Sequence, residues 1–188
     1  MHTSSSRSTF LPRRHMLQTT ALLLGATLLA SGCAVHVPSN ITPVQGFDVN
    51  KYAGQWYEIA RIDHRFEKGL INTSAQYSLN PDGTVKVVNR GYNPEKKEWK
   101  ESEGVAKFIG DKNVGALKVT FFGPFYGGYN VVDLDPAYQV SMVIGQNTDY
   151  FWLLSRQKTM PQAQVMQALQ KAGALGVDLN KVILVKQD

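Results

Sequence analysis

The 188-residue chain has a single cysteine, Cys33, so no disulfide can form within it and its core must hold the fold unaided. No Gly-x-Ser-x-Gly elbow occurs, and no second thiol is present for nucleophilic work. Only two histidines lie beyond residue 32, His36 and His64, and neither sits in a cluster with metal-ligand spacing. The acids between residues 95 and 103 alternate with lysines and read as a solvated strand, not as a catalytic carboxylate pair. A large excess of one charge is also missing. The formal charge is +5, but Arg7, Arg13 and Arg14 fall in the first 32 residues, which hold no acid. Taking these three from the 20 basic residues leaves 17 against 15 acids, which gives no basis for nucleic-acid binding. The main apolar stretch, residues 16–30, is too short and interrupted to span a bilayer comfortably. These absences argue against an enzyme and give no reason to expect a cofactor or metal.

What is present begins with Arg13-Arg14, the apolar stretch, and then Ala30-Ser31-Gly32 before Cys33, the pattern of a secretory signal. Small residues followed at once by cysteine resemble the bacterial lipoprotein box. That resemblance implies a signal peptide over 1–32 and acylation of Cys33 as the new N-terminus. A plain secretory signal with an incidental cysteine is the alternative, but it leaves an unpaired thiol in an exported protein without a purpose. Arg13-Arg14-His15-Met16-Leu17 resembles a twin-arginine export signal and equally suits an ordinary positive n-region, so both export routes stay open. The 188 residues less the first 32 leave 156, one domain's worth. Residues 33–45 read as a lipidated, proline-punctuated tether, and 46–188 as the folded domain.

From residue 54 the hydrophobic period is two. Trp56, Glu58, Ala60 and Ile62 alternate with Tyr57, Ile59, Arg61 and Asp63. Thr73, Ala75, Tyr77 and Leu79 follow, and Asn80-Pro81-Asp82-Gly83 marks a hairpin turn. Val85, Val87 and Asn89 share one face of a third strand; residues 99–108 supply a polar fourth; Leu117, Val119 and Phe121 share one face of a fifth. Residues 129–134, 138–144 and 150–156 complete eight. Hairpin spacing without a long crossover predicts an all-β antiparallel barrel or sandwich. The eighth strand is apolar on both faces, through Trp152 and Leu154 on one and Phe151 and Leu153 on the other. Something must cover the outer face. The helical stretch after Pro161, with Val165, Met166, Leu169 and Ala172 as its apolar stripe, is the expected cover. Gly173 and Gly176 mark its end, and residues 182–185 predict a short ninth strand.

Gly54-Gln55-Trp56-Tyr57-Glu58-Ile59-Ala60-Arg61, Asp63-His64-Arg65-Phe66-Glu67, Phe121-Phe122-Gly123-Pro124-Phe125-Tyr126-Gly127-Gly128-Tyr129 and Leu154-Ser155-Arg156 together resemble the lipocalins, most closely their bacterial outer-membrane lipoprotein branch. The similarity covers essentially the whole of 46–188. It implies an eight-stranded up-and-down barrel with one C-terminal helix packed outside and a short ninth strand, in place of a sandwich. It also implies that Gly54 and Trp56 open the barrel at its closed end, with Arg156 lying across the indole. Thr148-Asp149-Tyr150 matches the family's second box literally, but strand count puts it one hairpin too late. That role is carried to Asp135 and Tyr138, although Pro136 departs from the pattern.

With Trp56 marking the inward face, alternation directs Tyr77, Val87, Asn89, Val119, Phe121, Tyr129, Trp152 and Leu154 into a ligand cavity. The lining is apolar and aromatic with a few hydroxyl and amide groups, which suits an acyl chain with a polar head near the mouth. Resemblance implies fatty acids or lysophospholipids as the ligand class, and a lipid-anchored protein in the outer membrane facing the periplasm, with Ala34 after the cysteine compatible with that sorting. A structural or adhesive lipoprotein without a ligand is one alternative, and an uncharacterised lipocalin enzyme another. Oligomeric state is not legible.

Overall fold

In a computed structural model of the chain the described residues are 1–2 and 35–188. The signal peptide, the export motif, Cys33 and Ala34 lie outside the described residues. Among the described residues no helix is long and apolar enough to cross a membrane.

A short helix α1 (Val49–Tyr52), capped by the Asp48 side chain on Asn50 N, leads into eight antiparallel strands. These are β1 (Gly54–Ile62), β2 (Ile71–Leu79), β3 (Val85–Asn93), β4 (Glu98–Phe108), β5 (Ala116–Phe122), β6 (Phe125–Leu134), β7 (Val140–Ile144) and β8 (Phe151–Ser155). Each pairs with the next, and β1 pairs with both β8 and β2, so the sheet closes on itself as an up-and-down barrel. The β1–β2 pairing is confined to Gly54 through Tyr57 against Tyr77 through Ser74. Beyond it the two strands part, and the C-terminal segment enters between them. There β9 (Val182–Leu184) pairs with Ala60, Arg61 and Ile62 of β1. Asn72 N donates to Lys186 O, and the Gln187 side-chain amide donates to Glu58 O and Thr73 O. The ninth strand therefore seals a seam in the barrel.

Helix α2 (Gln162–Ala174) packs outside, as the doubly apolar eighth strand requires. Its buried Val165, Ala168 and Ala172 meet Ile59, Ile62, Met142, Phe151 and Leu153. Full burial of Phe151 and Leu153 contributes about 2–3 kcal/mol each relative to exposure. Two expectations need correction here. Met166 is exposed, because Ala168 takes its place on the buried stripe. Ala60 and Ile62 do not share the Trp56 face. A bulge between Glu58 and Ala60 inserts one residue and reverses the alternation. Ala60 and Ile62 turn out to meet α2, and Arg61 turns in.

The inner cluster is separate. Trp56, Tyr52, Phe47, Tyr77, Val85, Val87, Leu117, Val143 and Leu154 form it, grading into Val119, Phe121, Tyr129 and Trp152 toward the other end.

Candidate functional site: a barrel closed at one end

The closed end is built on Gly54, whose φ of +98° is one that side-chain-bearing residues rarely adopt. A Cβ there would also stand 3.2 Å from Arg156 Nη1. The turn drops Trp56 into the barrel, fully buried, with its indole N–H donating to Tyr52 O at 2.8 Å. Arg156 lies over that ring with Cζ 3.9 Å from the centroid. Its guanidinium also donates to the carbonyls of Lys51, Tyr52, Ala53, Gln55 and Tyr138, tying β8 to α1, β1 and the β6–β7 loop. Asp135 and Tyr138 occupy that loop. The Asp135 carboxylate accepts from the backbone N–H of Ala137, Gln139 and Val140. Tyr138, at φ +56°, turns its hydroxyl back to accept from Asp48 N at 2.9 Å. Thr148 and Asp149 lie at the opposite end, where Asp149 O meets His64 Nε2 at 2.7 Å.

Above Trp56 three tyrosines form a floor. Tyr129 Oη lies 2.7 Å from Tyr52 Oη and 2.9 Å from Tyr77 Oη, and Tyr52 Oη lies 3.0 Å from Ser141 Oγ. Burial pushes the Tyr52 phenol up to about 12 and holds Tyr77 and Tyr129 well above the usual phenol range. All three remain neutral hydroxyls at physiological pH, satisfied by one another.

The cavity above this floor has a volume of about 900 Å³. Tyr77, Val87, Asn89, Val119, Phe121, Tyr129, Trp152 and Leu154 all stand on its wall, and the structure brings the eight together around one space. Phe47, Tyr52, Glu58 and Glu67 also line it, and sequence reasoning missed them. Tyr52 belongs to the short helix before the barrel, and no strand alternation reaches it. Glu58 shares the inward parity of Trp56, but a carboxylate at that position carries no sequence signal of a cavity wall.

One wall is polar. Arg61 is fully buried behind it, and its N–H groups meet Glu58 Oε2, Thr73 Oγ1, Asp63 Oδ1, Glu67 O and Leu70 O at 2.8–3.2 Å. Burial alone would lower the Arg61 pKa; Glu58, Asp63 and Glu67 outweigh it and raise the value. Glu67 accepts from the Trp152 indole N–H at 3.0 Å. Burial first, and then the neighbouring Glu58, holds the Glu67 carboxyl well above the usual carboxylate range.

The open end is rimmed by aromatic rings. His64 stacks between Tyr150 (centroids 4.1 Å apart) and Phe66 (5.5 Å), so it is a packing residue of the mouth. Phe122 and Phe125, at the β5–β6 turn, are 81% and 80% exposed. Among the described residues no group of three or more His, Cys, Asp or Glu is arranged to hold a metal ion.

The comparisons agree with this geometry. Residues 47–187 match the family model described as a lipocalin-like domain. The chain is 46% identical to outer membrane lipoprotein Blc of Citrobacter freundii, over 92% of this chain and 97% of that protein. It is 45% identical to outer membrane lipoprotein Blc of Vibrio cholerae, over 88% and 96%. Among solved structures, the cockroach allergen Per a 4 superposes with a TM-score of 0.62 at 20% identity, covering 82% of this chain and 96% of its own, a likeness of fold. A plugged and arginine-locked barrel, an outer helix and relatives matched along nearly their whole length lead to one conclusion: the chain belongs to the lipocalin family.

Proposed function

We propose that this lipocalin is a lipid-binding protein of the cell envelope that carries one single-chain amphiphile, a fatty acid or lysophospholipid, in its barrel. The observation that carries the proposal is the cavity of about 900 Å³, closed below by Trp56 and the tyrosine floor and open at an aromatic rim. It lies within the range of small-molecule sites, and its walls combine an apolar majority with a few convergent polar groups. The eight wall residues named above are its ligand contacts. Gly54, Trp56, Asp135, Tyr138 and Arg156 hold its closed end.

Residues 1–32 act as the signal, acylated Cys33 and the tether to residue 45 as the anchor, and 46–188 as the container. The names of the Citrobacter and Vibrio relatives support placement in the outer membrane. The periplasmic side is our assignment. The protein works as a carrier, without a reaction of its own.

Titration with palmitate and with lysophosphatidylcholine, followed by tryptophan emission, tests the carrier function. We expect saturable quenching that is largely lost in Trp152→Phe, and no response to either lipid would overturn it. Anchoring is tested by Cys33→Ala, which should move the protein from the membrane fraction to the soluble periplasmic fraction. Retention in the membrane would contradict it.

A further inference from the structure

The polar wall has an imbalance that the barrel's own stability does not explain. Its N–H groups and the Thr73 hydroxyl are consumed. The Arg61 N–H groups are taken by protein acceptors, the Thr73 hydroxyl donates to Glu58 Oε2 at 2.7 Å, and the Trp152 indole donates to Glu67 Oε1. The acceptors are not. Among the described residues no hydrogen bond reaches Glu58 Oε1 or Glu67 Oε2, although Glu58 is 6% exposed, Glu67 is 8% exposed and both line the cavity. Three carboxyl groups, of Glu58, Asp63 and Glu67, surround a single guanidinium at 2.8–4.0 Å. Both side chains line the cavity, and with three carboxyl groups around one guanidinium the wall has more acidic than basic groups, so it is matched to a ligand that brings positive charge together with donors.

We propose that the Glu58–Glu67 wall is a head-group subsite that takes an ammonium or hydroxyl group and discriminates against a carboxylate. The inference rests on the carrier function proposed above and adds a rule of specificity to it. An ammonium entering here restores charge balance around Arg61 and supplies N–H donors to the two open oxygens. A hydroxyl supplies one donor without charge. A carboxylate offers no donor, finds Arg61 already occupied, and meets Glu67 only by sharing its one proton beside Glu58 and Asp63. Because Glu67 is held in its protonated form by burial and by Glu58, bringing a cation beside it favours its ionisation. Ammonium binding is therefore linked to proton release. The other basic groups lining the cavity, Arg65, Arg90 and Lys100, are exposed and screened by solvent, so they do not set this preference.

The test uses the full chain, purified unacylated, with three probes of equal tail length below their micellar concentrations: dodecylammonium, dodecanol and dodecanoate. Calorimetry at pH 7 should rank dodecylammonium first, about tenfold tighter than dodecanoate, with dodecanol between them. Glu67→Gln keeps an acceptor for Trp152, leaves the backbone carbonyl that Arg61 uses, and changes a side chain that stands 4.0 Å from Arg61 Nε, beyond a hydrogen bond. It should shrink the ammonium-to-carboxylate ratio to near parity while dodecanol changes by less than about twofold. In the unmutated protein, dodecylammonium heats measured in buffers of different ionisation enthalpy should show proton release, a readout that does not depend on any variant folding. Dodecanoate binding as tightly as dodecylammonium, an unchanged ratio in folded Glu67→Gln, or the absence of proton release would each overturn the subsite. If none of the three probes binds, the carrier function itself fails and the subsite with it.

Discussion

Replacing Arg156 by alanine removes a side chain that joins the end of the last barrel strand to α1, the first strand and the β6–β7 loop at once. Its stacking on Trp56, with Cζ 3.9 Å from the centroid, contributes about 1 kcal/mol. The three tightest carbonyl contacts, to Lys51 O, Gln55 O and Ala53 O at 2.8–2.9 Å, are charge-assisted but lie at a half-exposed end where water regains them. Counted at about 0.7 kcal/mol each, they bring the expected loss to about 3 kcal/mol. For a domain of this size that corresponds to a fall of about 6–12 °C in Tm. Arg156→Lys keeps the cation, yet a single ammonium cannot reach five carbonyls and stack on the indole, so it should recover less than half of the loss. Urea unfolding followed by tryptophan emission gives both numbers. A double-mutant cycle with Trp56→Phe isolates the stacking share. A loss below about 1 kcal/mol for alanine, or full rescue by lysine, would refute the account of a planar, multidentate lock.

Other consequences are checked as directly. Arg61→Met leaves buried Glu58 and half-buried Asp63 without their cation and should cost about 3–5 kcal/mol in equilibrium unfolding, far more than the loss of any exposed pair such as Lys86–Glu103. Glu67 has a native pKa raised above its unfolded value. Between those two values the folded state holds a proton that the unfolded state has released, so stability falls as pH rises above the usual carboxylate range. Glu67→Gln should flatten that decline in denaturant titrations across pH. By the same sign, Tyr52, raised to about 12, adds a second loss of stability above about pH 10, where unfolded tyrosines ionise. Tyr52→Phe should reduce that loss in the alkaline limb of the same titrations. Val87→Trp should fill the cavity and lower lipid affinity at least about tenfold in calorimetry, while the circular dichroism of the barrel is retained.

Much of the barrel was legible because an antiparallel strand with one buried face writes its orientation into every second residue. Val85, Val87, Leu117 and Val119 are inward for that reason, and Phe151 and Leu153 announced α2 by breaking the pattern. The pattern failed at the bulge after Glu58, where one inserted residue exchanged the two faces and hid the burial of Arg61. No local signal marks such a bulge, which lies beside the seam that the C-terminal segment fills; Gln187, 129 residues further along the chain, reaches Glu58 O there. The polar wall was illegible for a related reason. Glu58, Arg61, Asp63 and Glu67 look like an ordinary solvated charge pattern until the β1–β2 loop folds back and removes the water from it. Tyr52 was missed because the short helix that carries it lies before the first strand, yet its ring packs on Trp56 at 4.9 Å and completes the floor.

The central claim is that the barrel is a container for one single-chain lipid. Organic extraction of the purified, unacylated chain followed by mass spectrometry tests it most directly, with Val87→Trp prepared in parallel. The account predicts about one single-chain amphiphile per barrel in the unmutated protein and little in the filled variant. Barrels recovered empty that also fail to take up added lipid, or equal lipid in both proteins, would contradict it.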